Sequence, residues 1–197
     1  MFLIPADTPG FSVGHIEDKL AWHGSSTGSL LLDNCRVNKK WILGEVNHGL
    51  QAFGSTTMQT YAYLGILALG GAEGVYERTL KYTKEREHIG GGTLYNNYEV
   101  VRYHLVNMYT KIESCRSLLF ECFELMQQGR EGVKQCMAAK IYAQQVFEEV
   151  ASMAVNLNGG NGLMVENDIE RYYRESKMLA VGGFSVDIIR EQIAALL

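Results

Sequence analysis

Both prolines of this chain, Pro5 and Pro9, lie within the first ten residues. Proline breaks a helix because it lacks the amide proton and its ring collides with the preceding turn, so the chain beyond Pro9 can be helical without a break from that source. The hydrophobic pattern uses this freedom unevenly. Residues 1–43 read as strands and turns: Phe2-Leu3-Ile4, a Thr8-Pro9-Gly10 turn, Phe11-Ser12-Val13, a Gly/Ser/Thr-rich loop at 24–28, and Ser29-Leu30-Leu31-Leu32 running towards Val37. Two or three short strands do not make a stable unit alone, and these read as the tail of a sheet whose beginning is absent. From Gly49 the pattern turns helical, with long segments expected at 49–88, 95–128 and 132–157 and shorter helices at 166–175 and 186–196. In the second long segment Val101, Leu105, Met108, Ile112, Cys115, Leu119, Cys122 and Met126 recur three and four apart, which lines one helix face. Helices joined by short loops pack as an antiparallel bundle.

Composition narrows the function classes. A chain that is 47% apolar can bury a core, and a net charge of -4 with scattered Lys and Arg offers no field for nucleic acid or an anionic membrane. The longest apolar stretch, residues 63–72, falls short of the roughly 20 residues a membrane span needs. Met1-Phe2-Leu3-Ile4-Pro5 lacks the pattern of a signal peptide, and a cytoplasmic location is expected. Cys35, Cys115, Cys122 and Cys136 form no C-x-x-C pair and read as free, buried thiols.

Spacing alone stops short of a reaction. Glu85-x-x-His88 would put a carboxylate and an imidazole on one helix face, as in di-iron bundles, but such a site needs two of these motifs and the sequence has one. His15, His23, His48 and His104 lack partners at ligand spacing, and no metal site is expected. There is no G-x-S-x-G, P-loop or strand-to-helix G-x-G-x-x-G motif.

Three stretches, taken in order, resemble the acyl-CoA dehydrogenase family. The first is Thr8-Pro-Gly-Phe-Ser-Val-Gly14 with Gly24-Ser-Ser-Thr27, Asp33-Asn-Cys-Arg-Val37 and Ile42-Leu-Gly44. The second is Lys81-Tyr-Thr-Lys-Glu-Arg-Glu-His-Ile-Gly90, similar to the family's Arg-x-x-Phe-Gly turn. The third is Asn156-Leu-Asn-Gly-Gly-Asn-Gly162 followed by Ile169-Glu-Arg-Tyr-Tyr-Arg-Glu-Ser-Lys177, similar to the Gln-x-x-Gly-Gly-x-Gly loop and the Arg-Asp-Ala-Lys helix. The resemblance implies a mainly α fold, with residues 1–44 as part of an antiparallel β domain and 45–197 as a C-terminal four-helix bundle.

It also implies FAD as cofactor, an acyl-CoA or acyl-carrier thioester as substrate, and α,β-dehydrogenation with electrons leaving through an electron-transferring flavoprotein. A homo-oligomer, or a partner subunit carrying the N-terminal domains, is implied as the assembly. The alternative is a non-catalytic cofactor-binding or assembly subunit. Carried over by position, Arg86, His88, Ile89, Asn156, Gly159, Gly160, Ser185 and Asp187 fall where the family contacts FAD, Ile89 standing in for Phe and Asn156 for Gln. Met58 and Tyr61 fall where an Asp and an Arg assist CoA binding. The two positions where the family carries its catalytic glutamate hold Gly183 and Thr60, neither of which takes a proton near neutral pH. No catalytic residue is therefore assigned, and glutamate at 183 is expected to raise the rate of flavin reduction.

Overall fold

A computed structural model describes residues 1–54 and 56–197. The described residues form two compact units, Met1–Thr57 and Met58–Leu197. In the first, β1 (Phe11–Ile16) and β2 (Gly28–Leu32) pair antiparallel, with Phe11 opposite Leu32 and Val13 opposite Leu30. The expected strand at Phe2-Leu3-Ile4 is reduced to one bridge, Phe2 to Ile42, and β2 stops at Leu32 instead of continuing to Val37. The unit has little core. Ala21 is buried, whereas Val13, Ile16, Leu30, Leu31 and Leu32 are exposed. A single hairpin cannot cover its own apolar side chains. The short helix α1 (Gly49–Gly54) belongs to this unit, so the first expected helical segment is divided.

The second unit is helical: α2 (Thr57–Glu85), α3 (Leu94–Asn97), α4 (Glu99–Gln127), α5 (Val133–Asn158), α6 (Ile169–Val181) and α7 (Val186–Ala194). α2 ends at Glu85, so Glu85 and His88 do not share a helix face. The stripe expected on α4 is buried from Val101 to Cys122, and Leu125 closes it in place of Met126. Cys115 and Cys122 are buried in that stripe and Cys136 on α5, while Cys35 is half-buried; all four are free. α6 starts later and runs further than the pattern indicated. Glu166 lies in a separate 3-10 turn, Val165–Asn167, and left-handed Asp168 (φ 62°) starts a new helix. Nothing then breaks the helix before Gly182.

α2 presents a run of small residues inward, Ala62, Gly65, Ala68, Ala72 and Thr79. Long side chains of the neighbouring helices fill the space. A Cβ at Gly65 would lie 2.4 Å from Leu119 Cδ2 of α4, and one at Gly71 would lie 2.4 Å from Phe147 Cζ of α5. At the far end, Asn158 of α5 donates to Thr79 Oγ1 at 3.0 Å and to Ala154 O at 2.8 Å, which satisfies a buried amide where the helix stops.

These contacts set the sign of two substitutions on one helix. Alanine for glycine gains about 1 kcal/mol of helix propensity, but forcing a methyl into a filled core costs about 1–3 kcal/mol. Gly71→Ala is expected to destabilise the chain because the buried Phe147 ring cannot withdraw freely. Gly70→Ala, whose Cβ would meet nothing within 4 Å, is expected to stabilise it. Urea denaturation of both variants checks the contrast.

Candidate functional site

The C-terminal ends of α2 and α5 border an open groove of about 490 Å³ lined by Tyr82, Arg86, Leu94, Asn156, Gly159, Gly160, Asn161 and Met164, among others. Arg86 follows the last residue of α2, where a cation is favoured by the helix dipole. Its guanidinium is exposed and makes no ion pair among the described residues. Gly159 caps α5 at φ 57°, ψ -137°, a backbone geometry open in practice to glycine alone. A Cβ at Gly159 or Gly160 would meet nothing within 4 Å, so the glycines leave an open backbone cradle that a ligand can approach closely. Asn161 donates to Tyr82 Oη at 3.1 Å and ties the loop to α2.

Four of the carried-over positions, Arg86, Asn156, Gly159 and Gly160, thus converge on one cradle. The others do not line it. His88 Nε2 is 2.6 Å from Tyr98 Oη, and Ile89 is 97% exposed. Ser185 N-caps α7 through Ile188 N, and Asp187 accepts from Arg190 Nη1 at 2.8 Å. Sequence reading missed Tyr82, Leu94 and Met164. Tyr82 carried a usable signal, since it stands four residues before Arg86, whose amide donates to the Tyr82 carbonyl at 2.8 Å.

The family's two base positions lie elsewhere, Thr60 on α2 and Gly183 in the turn after α6 that packs on α2. Gly183 (φ 63°) and Phe184 (φ 74°) are successive left-handed residues. A Cβ on Gly183 would lie 2.2 Å from Leu64 Cδ1. Leu64 and Thr60 are one turn apart on α2, so the same surface of that helix carries one base position and blocks the other. Next to them Tyr61 is fully buried, donates from its hydroxyl to Gln192 Oε1 at 2.8 Å, and has its ring centroid 6.3 Å from that of Phe184. Met58 lies against the start of α5, its Cε 2.8 Å from where a Cβ on Gly132 would be. The side chains at 58 and 61 are therefore engaged within the bundle.

Residues 47–197 match the family model of the acyl-CoA dehydrogenase C-terminal domain. The chain belongs to the acyl-CoA dehydrogenase family. It is 33% identical over 181 residues to cyclohexane-1-carbonyl-CoA dehydrogenase of Geobacter metallireducens, covering 91% of this chain and 47% of that one. It is 29% identical to the caffeyl-CoA reductase-Etf complex subunit CarC of Acetobacterium woodii, covering 91% and 47%. The structure of butyryl-CoA dehydrogenase from Megasphaera elsdenii superimposes with a TM-score of 0.94 at 26% identity, over 99% of this chain and 50% of that one. The chain spans about half the length of these family members. No described helix is long and apolar enough to cross a membrane.

Beneath the Gly183 turn lies a buried charge. Lys140 of α5 is 1% exposed and donates from Nζ to Phe184 O at 3.1 Å. Burial pulls its ammonium down to about 8 from an ordinary 10.5. Between those values the unfolded chain holds the proton and the folded chain has lost it, so stability rises with pH. This contribution is complete above pH 10.5 and is lost as pH falls through about 8. The stability of the native chain relative to Lys140→Met should therefore climb by on the order of 1–3 kcal/mol across that window. Burial pushes the Cys115 thiol up to about 11, which opposes the trend in both proteins and cancels in the difference. Denaturant titrations of the two proteins at pH 7.5, 9 and 10.5 measure it.

Proposed function

We propose that this chain supplies the flavin-diphosphate contact and the helical bundle of an acyl-CoA dehydrogenase-type flavoprotein acting on an acyl thioester. The convergence of Arg86, Asn156, Gly159 and Gly160 on one cradle carries the reading. The donor set fits FAD. A planar, permanently charged guanidinium can hold a diphosphate bidentately, and bare glycine backbone lets the adenosine portion approach. Asp187 is compatible with nearby phosphate because Arg190 pairs with it. Flavin held at this cradle would supply the hydride acceptor for dehydrogenation of the thioester. What this chain adds is cofactor binding and orientation, with no proton-accepting side chain at 60 or 183.

That deficit favours the second reading, a cofactor-binding or assembly subunit, for any complex in which no other group acts as base. Leu64 supports it, because the space next to residue 183 is already filled. The Acetobacterium woodii relative is named as a subunit of an Etf complex, and we take an electron-transferring flavoprotein as the redox partner of the assembly. Exposed Val100, Tyr103, Val106 and Tyr109 on α4 support association of several copies, or of this chain with a partner subunit.

Two measurements test the proposal. Calorimetry with FAD or ADP should detect binding that Arg86→Ala weakens by about 1.5–3 kcal/mol, roughly 10- to 150-fold. No binding by the folded chain, alone or with partner subunits, would leave only the assembly role. In a complete flavin-loaded assembly, acyl-CoA should bleach the flavin slowly, since a general base is typically worth 10²- to 10⁴-fold. Gly183→Glu alone should not restore the rate, because the Leu64 methyl occupies the space its Cβ needs. Gly183→Glu combined with Leu64→Ala should raise it, and fast bleaching by the unmodified assembly would show that another group acts as the base.

A further inference from the structure

A lysine ammonium sunk into a helical core loses most of its hydration, and Lys140 has no carboxylate bonded to it among the described residues. Its Nζ bonds the carbonyl of Phe184. Phe184 is a bulky residue at φ 74°, preceded by Gly183 at φ 63°. A left-handed geometry is disfavoured for an L-residue and persists where the surroundings over-determine it. The surroundings here are specific. The Gly182 amide donates to Met178 O at 2.7 Å and fixes the entry to the turn, and Ser185 caps α7 and fixes its exit. Tyr61 and Leu64 bear on the turn from α2. Lys140 reaches it from α5 and draws the Phe184 carbonyl towards the core.

We propose that Lys140 is a positioning residue that holds the Gly183–Phe184 turn in its left-handed form, and so shapes the surface that occupies the family's base position. The assignment needs no flavin and stands whether or not the cradle binds one. It accounts for a buried cation in terms of a local conformation and not of overall stability.

The two roles separate in an exchange experiment. The Gly182, Ile188 and Ile189 amides flank the turn and are hydrogen-bonded, to Met178 O, Ser185 Oγ and Ser185 O. In Lys140→Met they are expected to exchange at least ten-fold faster than in the native chain, while amides in the middle of α5 stay as slow or become slower. Lys140→Gln, whose shorter amide cannot reach Phe184, carries the same expectation and serves if the methionine variant does not fold. In a Phe184→Gly background, where a left-handed φ costs little, the acceleration on removing Lys140 should shrink towards none. Unchanged exchange at the three amides would overturn the proposal, as would acceleration spread over the whole unit in proportion to lost stability. So would an equal effect with and without Phe184.

Discussion

The helical unit depends on α5 being packed on several sides at once. α4, α6, α7 and the glycine turn that follows it all contact this one helix, and its buried residues run from Cys136 to Asn158. Such enclosure requires helices close enough to interdigitate, and the run of small residues on α2 permits it by letting Leu119 and Phe147 lie against bare backbone. Both candidate regions are consequences of this packing. The cradle exists because α5 must stop where α2 also stops, and the Gly183 turn exists because the chain must reverse between α6 and α7 to lay both on α5.

The parts of the fold that were legible in the sequence are those governed by local rules. The α4 stripe shows as apolar spacing, and the end of α5 shows as Asn158-Gly159-Gly160, because helix periodicity and glycine's backbone freedom act over a few residues. The start of α6 was misplaced because a non-glycine left-handed residue, Asp168, made the break, and no pattern marks that in advance. In the cradle, Arg86 and Gly159 were found through a family resemblance, while Leu94 and Met164 reach it from segments whose placement depends on tertiary packing. Leu64 was invisible for a similar reason. Its importance comes from a residue more than a hundred positions later, and one sequence does not display such a contact.

The contrast between the two regions is electrostatic as well as geometric. At the cradle an exposed guanidinium is solvated by water and costs little to keep charged, so it is available for a ligand. Under the Gly183 turn the cation is shut away and its donor is committed to one carbonyl. An arginine suits the first place, being charged at every accessible pH, and a lysine can occupy the second because its ammonium can give up its proton when burial demands it.

The bond between Tyr61 and Gln192 joins residues 131 positions apart, whereas α2, α4 and α5 are the consecutive long helices of the unit and α4 meets α5 through a short turn. Contacts between consecutive helices close short loops and form early, while a pairing of such separation pays its loop-closure entropy with little local support. α7 should therefore dock last, onto a surface the earlier helices have already built. A folding intermediate of this unit would hold its three long helices in place with Tyr61 still open to water.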